Sequence, residues 1–567
     1  ITVAVATMFS TLVAITLTPM LAAYLLQPKA RPILCGDSDL NPLSPTPGTP
    51  SRWQPYRQML TWSLRHRLIT LAIALLLFWG SIQLIPLIPK GLFGGGDNGL
   101  SELQVELPPG LTLERTKQVV KTTTERLLQN ANVASVFSEI ENNQAQLLVT
   151  LKPRDQRQVT QQEFETRMRP LLQQIPGARI SFESQGASGE DSDLTIRLQS
   201  NQPDLLLDTA TTLEAQMQDI PGLVEIISSA SLVQPEILIE PDPARAGDLG
   251  VSVQAIARTI SLAAIGDQES ALAKFDLPDR QIPIRVQIDP DQQRNLDTLK
   301  NLQIPTQTGE IVPLTAVATV RFGSGPAEIE RFDRSRQITL GANLEGIALG
   351  DAYAAVQRLP IMQNLPPGVE ERPSGDTKIM QDVFNGFATA LASSILCIYA
   401  VLVLLYNSFI LPVTILAALP LSIGGALLAL MITQKELGLF ALIGIVLLMG
   451  LVTKNAILLV DCALANQRKG TPQFRAAIFA GISRLRPILM TTLSTIAGML
   501  PIALEFGADG GVRSPMAIAV IGGFSTSTLL TLIVIPVFFT YIDTFQNRIA
   551  HWFGNSKIRY AKQNEGE

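Results

Sequence analysis

The chain has 567 residues, of which only 16% are charged, and its mean hydropathy is +0.26. A water-soluble protein of this length is not so apolar, so a membrane protein with a polar middle section is expected. The formal net charge of -5 and the absence of a basic arm give no basis for a nucleic-acid partner. Only His66 and His551 are available as histidine ligands, and Cys35, Cys397 and Cys462 all lie outside the middle section. Neither a histidine-built zinc site nor a disulfide scaffold is therefore expected.

In chain order, Ile1 opens inside an apolar run with no start methionine, basic n-region or cleavage site, and the sequence reads as a truncated chain. A bilayer core takes about 20 apolar residues as helix. Seven stretches qualify: 2–26, 68–88, 379–406, 411–433, 437–465, 487–506 and 515–544. Lys and Arg cluster in the linker after the first (Lys29, Arg31, Arg52, Arg57, Arg65, Arg67), after the fifth (Arg468, Lys469, Arg475, Arg484, Arg486) and in the tail (Arg548, Lys557, Arg559). Alternating spans put all three clusters on one side, which makes that side cytoplasmic. The expected organisation is a span at 1–27, a cytoplasmic linker at 28–67, a span at 68–88, a large external domain at 89–378, five spans over 379–544 and a tail at 545–567. Within the linker, NPLSPTPGTP (41–50) reads as irregular, and the aromatic and basic residues that follow read as an interfacial helix.

The external segment alternates strand and helix signals. Leu103, Val105 and Leu107 alternate with polar residues, and a helix follows with Leu113, Val120 and Leu127 on one face. Strand patterns at 133–140 and 147–151, a helix at 160–174 and a strand at 179–183 complete a β-α-β-β-α-β unit of the split ferredoxin-like kind. A second unit starts at Leu194, Ile196 and Leu198, with a helix at 204–217 and a strand at 224–228. A mostly β insertion then intervenes, and the unit resumes at 337–344 with a helix at 352–359.

Chemistry is signalled most clearly in the fifth span, LFALIGIVLLMGLVTKNAILLVDCAL (439–464). A charge such as Lys454 inside an apolar span costs at least ~2.5–3.5 kcal/mol, so it pairs or faces water, and its default reading is functional rather than structural. Asn455 adjoins it, and Asp461, seven residues on, shares its face. No other span of this chain holds a buried carboxylate: Asp382 is near an outer end, and Asp461 and Asp543 near inner ends. The partner carboxylates are thus expected outside this chain. A carboxylate that alternates between Lys⁺ and a proton would have an environment-dependent pKa, the physical basis of a proton relay. The sixth span, RLRPILMTTLSTIAGMLP (484–501), clusters Thr491, Thr492, Ser494 and Thr495. Their hydroxyls either bond back to the preceding turn or relay protons. The external domain shows no nucleophile–base pair, P-loop or metal-ligand spacing, so no enzyme is expected.

GLVTKNAILLVD (450–461) followed by RLRPILMTT (484–492) resembles the hydrophobe/amphiphile branch of the resistance–nodulation–division (RND) efflux transporters. VIPVFFTYID (534–543), LTPMLAAYLLQPK (17–29) and ARAGDLGVSVQAIARTI (244–260) fit the same family. The resemblance implies a multi-span α-helical membrane protein of the bacterial inner membrane, of which this chain is the C-terminal half. Its periplasmic α+β domain would comprise ferredoxin-like porter subdomains and a β-rich docking insertion. It also implies a homotrimer working with a periplasmic adaptor and an outer-membrane channel, without cofactor, exchanging protons for small amphiphilic molecules.

Residue by residue, the resemblance assigns Lys454, Asn455, Thr491 and Arg484 to proton relay and Phe137 to the substrate pocket, with Leu148 standing where another pocket phenylalanine is expected. Two departures bear on substrate: a short SEIENNQAQ (138–146) replaces the switch loop, and GLFGGGDNG (91–99) replaces an acidic segment. The competing readings are a metal-ion exporter, disfavoured by the wide spacing of Met168, Met217 and Met362, and a non-transporting scaffold or sensor, disfavoured by Lys454.

Overall fold

The computed structural model describes residues 54–552 together with Met8 and Thr16, apart from 94–95, 109–110, 184–185, 232, 265, 267–272, 285–295, 327 and 507–509. Most of the expected first span, of the linker and of the tail lies outside the described residues.

Six described helices are long and apolar enough to cross a membrane: Arg67–Leu87, Gly375–Tyr406, Leu411–Ile432, Leu439–Arg468, Gln473–Ala503 and Gly510–Gln546. They are preceded by α1 (Gln54–Arg65). This amphipathic helix buries Leu60 and Leu64 against Ala477, Ile478 and Val537, and its Tyr56 hydroxyl donates to the Leu532 carbonyl at 3.0 Å. The first long helix is α2 (Arg67–Leu84). The sixth expected span begins 14 residues earlier than its apolar run does, at Gln473 rather than 487. Arg475, Arg484 and Arg486 interrupt the hydropathy there, but the backbone continues as helix because its small residues Ala476, Ala477, Ala480 and Gly481 are buried.

The first α+β unit runs β1 (Leu100–Glu106), α3 (Leu113–Leu128), β2 (Val133–Ile140), β3 (Gln144–Leu151), α4 (Gln161–Leu172) and β4 (Arg179–Phe182). Its antiparallel sheet has the order β2-β3-β1-β4. Thr112 caps α3 by accepting from Arg115 N–H, and a reciprocal Thr160–Glu163 capping box starts α4. Leu103, Leu147, Leu127 and Phe164 close the core between sheet and helices. Leu113, expected on the buried face of α3, is 38% exposed because it sits in the first turn, beyond the sheet.

The second unit repeats the plan with β5 (Leu194–Ser200), α5 (Pro203–Met217) and β6 (Leu223–Ser228), and later returns. Between the two parts lies a long ribbon of β7 (Val233–Pro241) paired with β12 (Ala318–Pro326). The ribbon brackets α6 (Val253–Ala264) and the short strands β8 (Lys274–Asp276), β9 (Gln281–Pro283), β10 (Gln303–Pro305) and β11 (Ile311–Pro313). β11 is separated from β12 by a helical turn, Leu314–Val317, whose Leu314 and Val317 fill the insertion's core. After β13 (Arg331–Phe332), β14 (Ser335–Leu344), α7 (Leu349–Gln357) and β15 (Val369–Arg372) complete the unit. β14 pairs with both β5 and β6, and β5 with β15, which is the strand order of the first unit.

The remaining long helices are α8 (Gly375–Tyr406), α9 (Ala418–Ile432), α10 (Leu439–Arg468), α11 (Gln473–Ala503) and α12 (Gly510–Trp552). α9, α10 and α12 form the tight centre. Small residues permit the approach: a Cβ on Gly425 would lie 2.9 Å from Gly522 O, and one on Gly444 would lie 2.7 Å from Met516 O.

Candidate functional site

Lys454 sits midway along α10, a helix whose Val452, Ala456, Leu459 and Val460 are buried in the helical core. A single residue step along the helix separates the faces sharply. Asn455 is 2% exposed within that core, whereas Lys454 is exposed on the other side. Lys454 lines a groove of about 460 Å³ between α8 and α10, with Cys397, Ile398, Val401, Leu402, Gly450, Thr453 and Ile457. Among the described residues no carboxylate forms an ion pair with it. Asp461 is exposed as well, at the end of the same helix face. The geometry therefore brings Lys454 and Asp461 to one side and sends Asn455 inward.

On α11, the Thr491 hydroxyl donates to the Ile488 carbonyl at 2.9 Å and the Thr495 hydroxyl to the Thr491 carbonyl at 2.9 Å, both bonds within the helix itself. Thr492 differs: it is buried, donates to Ile488 O at 2.8 Å, and meets the Thr528 hydroxyl of α12 at 3.0 Å. Thr528 belongs to a buried hydroxyl row with Ser527 and Thr531, which the reading of the sequence left out. Its signal was the STST run at 525–528 inside an apolar span. Arg484 is partly buried, and its Nε has no hydrogen-bond partner among the described residues. Asp543, near the C-terminal end of α12, accepts from Gln467 Nε2 at 2.8 Å.

The second candidate site lies on the outer face of the first unit's sheet. Phe137 on β2 stands directly opposite Leu148 on β3, and Glu102 on β1 is the next neighbour. Phe137 is 65% exposed, unusual for a phenylalanine on a folded sheet. Two residues further along the strands the face turns acidic. Gln104, Glu139, Glu141, Gln146, Glu183 and Asp191 line a pocket of about 320 Å³. Burial raises the Glu183 carboxyl above its ordinary range, repulsion from Asp191, Glu102 and Glu106 adds to the rise, and the hydrogen bond from Gln146 opposes it. An apolar edge beside crowded carboxylates suits a ligand with an apolar body and a positive charge. The external methionines are absent from this face: Met168, Met217 and Met362 are buried in the cores of the two units. Among the described residues no group of three or more His, Cys, Asp or Glu side chains is arranged to hold a metal ion.

Residues 1–543 match the model of a protein family described as the AcrB/AcrD/AcrF family. Among solved structures, the chain is similar to two titled as crystal forms II and I of a heavy metal efflux pump. Form II matches with a TM-score of 0.75 at 24% identity over 86% of this chain and 52% of that one. Form I matches with a TM-score of 0.75 at 24% identity over 87% and 52%. The chain thus spans about half the length of those solved chains, and at this identity the likeness concerns the fold.

Proposed function

The chain belongs to the AcrB/AcrD/AcrF family of RND transporters, and from that premise we propose that it works as half of a proton-driven efflux pump of the bacterial inner membrane. The carrying observation is Lys454, a cation on an apolar helix facing a groove in which no described carboxylate pairs with it. A groove of this kind suits a helix from the rest of the pump bearing carboxylates. Protonation of such carboxylates would release Lys454, and deprotonation would recapture it. Arg484 and Thr491 would belong to the proton path on α11, with the Thr492–Thr528 contact as a hydroxyl step between helices. In this reading the α+β units face the periplasm, and the assembly is a trimer with an adaptor and an outer-membrane channel.

The substrate reading follows from the outer face of the first sheet: Phe137 and Leu148 supply the apolar contact, and Glu139 and Glu183 attract a cation. A second reading, metal-ion export, is favoured by those same carboxylates and by the fold shared with a heavy metal efflux pump. The burial of all three external methionines weighs against it.

The test is Lys454→Met in the whole protein, measured as efflux of an organic cation such as ethidium and as metal tolerance in cells lacking other pumps. Loss of ethidium efflux supports the leading reading. Loss of metal tolerance alone supports metal export. No change in either sinks proton coupling and favours the scaffold reading.

A further inference from the structure

Between α2 and β1 the chain makes a short strap, residues 88–92, whose two ends are buried in different bodies. Ile88 is 1% exposed within the core of the long helices. Leu92, four residues later, is 4% exposed within the core of the second α+β unit. The strap is also bonded to both. Leu437 N–H donates to Pro89 O at 2.8 Å and Leu439 N–H to Leu92 O at 3.0 Å, so the strap is tied to the N-terminus of α10. Gly350 N–H, in the first turn of α7, donates to Lys90 O at 2.8 Å.

Three glycines make this close approach possible. A Cβ on Gly438 would lie 2.9 Å from Leu92 O and 3.3 Å from Gly91 O, both backbone atoms. A Cβ on Gly350 would lie 2.8 Å from Lys90 Cβ and 3.0 Å from Lys90 O, and one on Gly91 would run into the Glu436 side chain. Glu436 is half-buried at this junction, where burial and the nearby Asp351 charge raise its carboxyl and Lys435 opposes the rise.

α10 is the helix that carries Lys454. We infer that the strap at 88–92 is the mechanical link from α10 to the second α+β unit, with Gly438 and Gly350 as its positioning residues. The inference rests on the proton-coupled reading above. When α10 shifts with the charge state around Lys454, its first turn moves the strap through two backbone hydrogen bonds, and the strap moves α7 through a third. Backbone-to-backbone hydrogen bonds carry the displacement, because no flexible side chain lies in the path from α10 to Lys90 and on to Gly350. The covalent route through α8, whose Met380 also enters the second unit's core, is separate.

Hydrogen exchange of the whole protein, read by mass spectrometry, tests this without a substrate. Gly438→Ala is expected to raise exchange at Leu437, Leu439 and, across the strap, Gly350 by about tenfold. Gly350→Ala should free the same amides from the other end, which keeps the test open if one variant folds poorly. Gly247→Ala, where a Cβ meets nothing within 4 Å, should leave all three unchanged. Release of Leu437 and Leu439 with Gly350 unaltered overturns the inference, as does a folded Gly438→Ala variant with no change anywhere. Lys454→Met separates the two layers. A shift at Gly350 that disappears in the Gly438→Ala background supports the strap, and one that persists assigns transmission to α8 and overturns it. If Lys454→Met alters exchange nowhere along α10, proton coupling fails, and the Gly438→Ala result alone still decides the strap.

Discussion

The two α+β units share one strand order but use their sheets differently. In the second unit the face of β5 turned away from its helices is closed. Arg197 pairs with Glu190 of the connecting segment at 2.5 Å, Gln199 donates to the Phe332 carbonyl at 2.8 Å, and Arg372 donates to Gln199 at 3.1 Å. In the first unit the same face is open: Phe137 is exposed, and Gln104 of β1 lines a pocket with Glu139, Gln146 and Glu183. One architecture thus yields a packed support and an open face. The difference lies in what the connections lay across the sheet rather than in the sheet itself.

The contact between the units is the sharpest place to break this arrangement. Arg169 on α4 lies 3.0 Å from Glu225 of the second unit, off the hydrogen-bond line, so the attraction is Coulombic. It also donates to Glu345 at 3.1 Å, and Asn343 of β14 donates to the Phe182 carbonyl at 2.6 Å and to Glu225 at 2.8 Å. Glu225 adopts φ of 52°, a left-handed conformation, at the irregularity where β6 shifts register against β14 between Gly341 and Asn343. Arg169→Ala strands a buried carboxylate and should destabilise the pair of units by about 3–5 kcal/mol, read by thermal or denaturant unfolding of the purified protein. A loss under about 1 kcal/mol would mean that the units are held by their apolar surfaces alone.

Next in size is a contrast between adjacent residues on β3. Leu147 is fully buried, so Leu147→Ala should cost about 2–5 kcal/mol. Leu148, on the open face, should cost less than about 1 kcal/mol when truncated while weakening efflux. Equal stability losses would show that the open face is covered in the working protein.

Glu183→Gln gives a smaller, pH-dependent effect. The folded-state carboxyl of Glu183 is raised above its ordinary value of 4.5, so its contribution to stability is full below that value and is lost as pH rises through the raised one. Relative to wild type, the Gln variant should therefore gain melting temperature as pH rises through the raised carboxyl value and match it at lower pH. A flat difference would mean that the carboxylates do not crowd as described. The smallest stability effect belongs to Phe137→Ala, within about 0.5 kcal/mol of wild type because the ring is mostly exposed, with reduced efflux of ethidium. Unchanged efflux would remove Phe137 from the substrate face.

The sequence alone determined the apolar runs of the spans, because a helix in lipid needs about 20 consecutive apolar residues whatever it packs against. It also determined the strand–helix order of both units, because the side-chain period of 2 or 3.6 is a local property. Lys454 was legible for the same kind of reason: a charge inside an apolar run is conspicuous without any knowledge of its neighbours. What only the tertiary structure decided are relations between distant residues. Sequence spacing could not show that Phe137 faces Leu148 across two strands, or that Asn455 points into the core while Lys454 points out of it. Nor could it show that Thr492 rather than Thr491 reaches a second helix. The strap illustrates the limit most plainly, since Gly438, Gly350 and Lys90 are scattered along the chain. Their shared role comes from backbone atoms brought within hydrogen-bond distance, which side-chain chemistry does not announce.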